Sequence, residues 1–165
     1  MELIQMTPLA LQEDLCREIE KITDGMFFRG EGQTPVPLKA YAQALPLKKE
    51  KAGWTEAADG NPEYFPYAVV RIESGKIMDP VVIQTSVFLG IFDDSEENRG
   101  HRKILNIIQK INERFSKNPI LSGAFRMQEG SFEFALPDED EYPCFFGGVM
   151  MRWETAPYRR EDEYT

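Results

Sequence analysis

The segment Val81 to Phe92, VVIQTSVFLGIF, carries Val81, Ile83, Thr85, Val87, Leu89 and Ile91 at its odd positions, nearly all β-branched or apolar. A period of two over twelve residues predicts a long, well-buried strand. Upstream, Tyr67 to Glu73 alternates as well, with Ala68, Val70 and Ile72 on one side and Tyr67, Val69, Arg71 and Glu73 on the other. Ser74, Gly75 and the Asp79-Pro80 pair separate the two runs, so antiparallel pairing is expected. Elsewhere the period changes to that of a helix. Leu11, Leu15, Ile19 and Ile22 form one stripe that starts after Thr7-Pro8, a capping hydroxyl followed by a first-turn proline, and stops at Asp24-Gly25. Ile104, Ile108, Ile111 and Phe115 form a second stripe. Ser95 is the expected cap of that helix, Glu96 and Glu97 suit the positive end of its dipole, and Asn118-Pro119 ends it.

Residues 26–63 interrupt these patterns. Pro35, Pro37, Pro46, Pro62, Gly30, Gly32, Gly53 and Gly60 break any long element there, leaving room for a short strand within Leu38 to Leu45. The connection from Pro46 to Pro62 is longer than the ~12–15 residues usual for a structureless loop, so it is expected to be functional or mobile. Ala124 to Leu136 reads as a hairpin about Glu129-Gly130, with Arg126 opposite Glu133 and Phe125 opposite Phe134. A last strand, Cys144 to Glu154, follows the acidic turn Pro137 to Pro143. Without repeated strand-helix alternation, this order predicts an α+β fold, a mainly antiparallel β-sheet with two α-helices packed on one face, leaving the other face, with Tyr67, Arg71, Glu73 and similar mixed residues, to solvent or a neighbour. The expected organisation is a single domain over 1–165, with an irregular insertion at about 46–62 and a short polar tail at 157–165.

Charge narrows the partners. There are 28 acidic against 19 basic residues, a net charge of -9, which opposes a sequence-independent grip on nucleic acid phosphates. No run approaches the ~18 apolar residues of a membrane span, and the first residues do not read as a signal peptide. Cys16 and Cys144 are far apart and outside any CxxC pattern, so a reduced, cytoplasmic setting is expected rather than a disulfide framework or zinc site.

Candidate chemistry is sparse, and no catalytic residue, cofactor or metal is assigned. His101 is the only histidine and is read as a surface residue of the second helix; a small enzyme would have to gather a pocket around Asp93, His101 and Arg102. The two cysteines are read as small buried hydrophobes. Gly147 and Gly148 lack the helix start and lysine of a phosphate loop and instead suggest a bulge or a close backbone approach. Asp93, Asp94, Glu96 and Glu97, and then Asp138, Glu139, Asp140 and Glu141, lack the spacing of a calcium loop and read as solvated turns able to steer a basic partner. Trp54, with Lys48, Lys49 and Lys51 nearby, either folds back on its own domain or anchors a protein contact. Trp153 reads as core.

The runs PYAVVRIESGKI, VVIQTSVFLGIFDD, HRKILNIIQKINERF and FFGGVMMRWETAPY resemble the tail terminator, or tail completion, proteins of tailed bacteriophages and prophages, over roughly residues 65–158. The resemblance implies an α+β subunit of a hexameric ring on the end of the tail tube, assembled in the host bacterial cytoplasm, which stops tube growth and presents a surface to the head connector. Its implied partners are further copies of itself, the tail tube protein and the head-tail connector proteins. Trp54 and its lysines, the two acidic turns, and Tyr158, Arg159 and Arg160 of the tail are then the expected contacts. Two alternatives carry different expectations: a head-tail connector or neck component, and a monomeric adaptor that binds a basic protein through the acidic turns.

Overall fold

The computed structural model describes residues 6–26, 28–29, 35–46, 48–50, 53–56 and 64–158. Helix α1 (Pro8–Ile22) starts as its sequence dictates: the Thr7 hydroxyl accepts the Ala10 N–H at 3.1 Å, and Pro8 stands where its missing donor costs nothing. Its stripe of Leu11, Leu15 and Ile19 is fully buried. The chain then forms β1 (Phe28–Arg29) and β2 (Pro35–Val36), an antiparallel pair, followed by β3 (Lys39–Ala42). Next come β4 (Lys48–Glu50) and β5 (Gly53–Glu56), β6 (Tyr67–Lys76), β7 (Val81–Phe92) and α2 (His101–Lys117). The chain closes with β8 (Ile120–Leu121), β9 (Phe125–Met127), β10 (Glu133–Ala135) and β11 (Cys144–Thr155).

The architecture is α+β. A seven-stranded sheet in the order β3-β6-β7-β11-β9-β8, with β10 also on β11, is antiparallel throughout except where β3 joins β6 in parallel. The expected β6–β7 pairing is present, and β7 pairs with β11 without interruption from Val81↔Thr155 to Phe92↔Cys144. Strand β6 runs past Ser74 and Gly75 to Lys76 because a bulge at Glu73 absorbs the break in alternation, so the turn itself is only Ile77–Pro80.

Both helices cover one face. The odd-numbered residues of β7 and β11 point at them, and Ile104, Ile107, Ile108, Ile111 and Phe115 of α2 are buried against that face. Each such side chain contributes about 1.5–3 kcal/mol on burial. The polar atoms enclosed there are satisfied: Trp153 Nε1 donates to Thr85 Oγ1 at 3.1 Å, and Thr85 Oγ1 donates to the Met151 carbonyl at 3.1 Å. Trp153 is core, as expected. The Arg114 guanidinium of α2 donates to Glu18 of α1 at 2.5 Å and to the Ile120 carbonyl at 3.0 Å, which ties the helices to each other and to β8. On the β3 edge, Gln12 of α1 donates to the Val70 carbonyl and to Gln43 Oε1, both at 2.9 Å. Gln43 Oε1 in turn accepts the Ile72 N–H at 3.1 Å, so a side chain extends the β3–β6 pairing beyond Ala42.

Three expectations need correction. Ser95 does not cap α2. The Asp93 carboxylate takes the Ser95 N–H at 3.0 Å, the chain turns through Asn98 at φ +52, and the helix begins at His101 after Gly100, with no side-chain cap. Glu96 and Glu97 therefore lie in the turn before the helix. Second, 125–135 is not a hairpin. Strands β9 and β10 both pair with β11, Met127 opposite Trp153 and Glu133 opposite Met150, so six residues advance against three. They form one broken edge strand whose surplus is taken up at Gln128–Ser131, where the Ser131 hydroxyl hydrogen-bonds both backbone atoms of Arg152. Third, residues 26–63 are not irregular apart from one strand: β1–β2 places Phe28 in the core, and the 46–62 insertion contains the β4–β5 pair, with Lys49 opposite Trp54.

Candidate assembly surfaces

The even-numbered positions of β7 and β11 form the face opposite the helices, and that face has two halves. Near Phe92 and Cys144 it carries a second core of Phe65, Tyr67 and Val69, with Tyr41, Leu45, Tyr64 and Phe146 packed around it. Gly90 makes room for it, since a Cβ there would lie 2.3 Å from the Tyr67 ring. The expectation that Tyr67 lies on a mixed face open to solvent or a neighbour therefore fails at this end: the aromatics of 64–67 cover it. At the other end the expectation holds, and the face is open. Phe88 is 48% exposed, Met150 41% and Phe134 59%, and they border an open depression of about 400 Å³ whose other walls include Glu73, Gln84, Ser86 and Glu133. Ser86 Oγ donates to Glu73 Oε1 at 2.5 Å, and Arg71 stands 3.4 Å from the same carboxylate.

The acidic turns converge. Tyr142 donates its hydroxyl to the Asp94 carbonyl at 2.6 Å and Asp93 N–H donates to the Pro143 carbonyl at 2.8 Å, so the segments 93–97 and 138–141 lie side by side at the Phe92/Cys144 end. Asp94, Glu96, Glu97, Asp138, Glu139, Asp140 and Glu141 are exposed there. Asp93 differs. It is 7% exposed and its other oxygen pairs with Lys103 Nζ at 3.2 Å. Burial alone would raise its pKa, but the hydrogen bonds from Ser95 and the Lys103 ammonium outweigh it and hold the carboxyl below its ordinary value. Asp93 is thus a clasp between the turn and α2, turned inward rather than toward a neighbour.

Tyr158 is 72% exposed beyond the opposite end of β11. Twelve strand residues separate that end from the acidic turns, about 36 Å at ~3.3 Å per residue. Lys48, Lys49 and Trp54 belong to β4 and β5, but their side chains fall outside the described residues, as do Lys51, Arg159 and Arg160 entirely. The structure therefore brings together the two acidic turns and places Tyr158 beyond the other end of β11 from them.

Convergent chemistry is not visible in the described residues. No three His, Cys, Asp or Glu side chains gather as metal ligands there. His101 opens α2 half-buried, and the hydrogen bonds of Asp93 run to Ser95 and Lys103 rather than to His101 or Arg102. Burial pushes the Cys16 thiol up to about 11, with Glu20 adding to the shift, and burial followed by Glu141 also raises Cys144; neither is poised as a thiolate. No described helix is long and apolar enough to cross a membrane. Gly147 is a close-approach position: a Cβ there would lie 2.4 Å from Ile104 Cγ2.

Phe88, Met150 and the exposed pair Ile77 and Met78 were not singled out by the sequence reading. Their signal is nonetheless present, because Phe88 and Met150 are large apolar residues at even positions of strands whose odd positions already supply the core. The chain matches no protein-family model and no curated protein sequence.

Proposed function

We propose that the protein is a structural subunit, not an enzyme, that closes into a hexameric ring on the head-proximal end of a phage or prophage tail tube. There it stops tube polymerisation and offers its far face to the head connector; it is assembled in the bacterial cytoplasm and ends in the virion tail. The observation that carries this reading is the polarity of the subunit. Seven exposed carboxylates gather at one end of the sheet, while an uncovered apolar face and an exposed strand-turn tip lie toward the other. A ring that docks on a partner needs a rim surface chemically distinct from its lateral ones; the acidic end suits the first, and the apolar face and tip suit the second. The four runs that resemble tail terminators include the central strands β6, β7 and β11 that position these surfaces.

The test is to polymerise purified tail tube protein with and without this protein and to measure tube lengths by negative-stain microscopy. Shortened tubes with a ring of density at one end support the proposal. An unchanged length distribution with bare ends overturns it. A monomeric adaptor is the second reading, and the acidic end favours it; a protein that stays monomeric and binds a basic partner with affinity falling steeply in salt would select it.

A further inference from the structure

The turn between β6 and β7 is apolar where a turn is ordinarily polar. Ile77 is 82% exposed and Met78 45%, with Lys76 before them and Asp79 after. Among the described residues, neither belongs to a core cluster. The ladder runs up to Gly75↔Ile83 and Lys76↔Val82, so the tip cannot fold back over its own sheet face without breaking those pairs. The depression beside Phe88 and Met150 is the converse feature, an apolar hollow that the described residues leave unfilled. Its volume of about 400 Å³ is large enough for two side chains of this size.

The charges match as well. Exposed Glu133 borders the depression, and Arg152 lies two residues beyond Met150 along the same face of β11. Among the described residues neither carboxylate nor guanidinium has an ion-pair partner, and the same holds for Lys76 and Asp79 of the tip. A cation, two apolar side chains and an anion in the tip are thus complementary to the anion and apolar floor of the hollow and to the cation beside it.

Resting on the ring reading, we propose that the tip Lys76–Asp79 of one protomer seats in the sheet-face depression of the next copy, with Ile77 and Met78 on Phe88 and Met150 and Lys76 on Glu133. The two patches are different regions of one chain, so the contact is head-to-tail, the type that closes rings.

Sedimentation equilibrium up to about 1 mM tests this with exposed-site variants whose folding is checked by circular dichroism. Ile77→Asp in the tip and Met150→Asp in the hollow are each expected to weaken self-association by about 30-fold or more, as loss of an interface anchor does. Lys76→Glu and Glu133→Lys each weaken it about tenfold, and the double exchange recovers most of the loss. Mixing Ile77→Asp with Met150→Asp is the sharpest case, because only one tip and one hollow remain intact: the mixture forms heterodimers and goes no further. Wild-type assembly that survives both aspartate variants overturns this contact while leaving the ring standing. A wild type that stays monomeric across the whole range overturns it too, and the tube-length assay then decides the ring by itself.

Discussion

Adjacent glycines on β11 should respond oppositely to the same substitution. Gly147 faces α2, and an alanine Cβ there would stand 2.4 Å from Ile104 Cγ2 and 3.1 Å from Leu136 Cδ2. Carbon atoms pack at about 3.5–4.0 Å, so the Ile104 contact must open by more than about 1 Å. Leu136 is 37% exposed and can yield, whereas Ile104 is fully buried in the stripe that seats the helix and cannot. Overpacking of this kind costs about 1–3 kcal/mol, and relief of the glycine penalty in a strand returns about 0.5–1 kcal/mol. Gly147→Ala is therefore expected to lose about 1–2 kcal/mol, near 2–8 °C in Tm for a chain of this size. Gly148→Ala meets nothing nearer than the Val87 carbonyl oxygen at 3.7 Å and Phe88 Cδ1 at 3.9 Å. It keeps the strand gain without the clash and should equal or exceed the wild type by up to about 1 kcal/mol. Urea unfolding followed by circular dichroism, at one fixed protein concentration so that assembly does not shift the midpoint, reads both. Equal shifts for the two variants, or a Gly147→Ala protein as stable as the wild type, would refute the close seating of α2 on β11.

Three further outcomes follow from the same geometry. Thr85→Val strands the buried Trp153 N–H and should cost about 1–3 kcal/mol in urea unfolding, whereas loss within error would mean that the indole finds another acceptor. Asp93→Asn should cost about 1–2 kcal/mol near neutral pH. Because the folded carboxyl titrates below its unfolded value, that stabilisation is present above the unfolded pKa and is lost as pH falls through the folded one, so wild type and variant should converge in acid; a pH-independent gap would contradict the clasp. Cys16, with its pKa pushed up to about 11, should react with iodoacetamide at pH 8 on the order of 100-fold more slowly than a free thiol, and rapid labelling of the native protein would show that its burial is wrong.

The elements that sequence reading located are those whose pattern is local. The stripe of α1, the four-residue spacing in α2 and the alternation in β6 and β7 each state within a dozen residues which face is buried, and Thr7-Pro8 marks a start that depends only on its own turn. What escaped depends on distant partners. Arg126 and Glu133 suit a hairpin, but β11 is twelve residues long and offers its edge to both segments, so pairing along it outcompetes pairing with each other. Ser95 looked like a cap because it precedes two glutamates; the buried Asp93 carboxylate, held by Lys103 from the helix itself, takes the Ser95 N–H and delays the helix start. The aromatic cover on the back of the sheet is assembled from Tyr41, Leu45, Phe65 and Phe146, which no local period connects. Of the candidate surface, the acidic turns were legible as charge runs, but their adjacency rests on Tyr142 reaching Asp94 across 48 positions of sequence. The open hollow is harder to read, because it lies between Phe88 and Met150 on two different strands and no local period connects them.

Mass together with shape tests most directly whether identical subunits close into a ring. Light scattering over a concentration series, alone and with tail tube ends as a template, should give a species near 114 kDa, six chains of 19.0 kDa, that appears annular in negative stain. A 19.0 kDa species at every concentration that also leaves tube ends bare would contradict a ring.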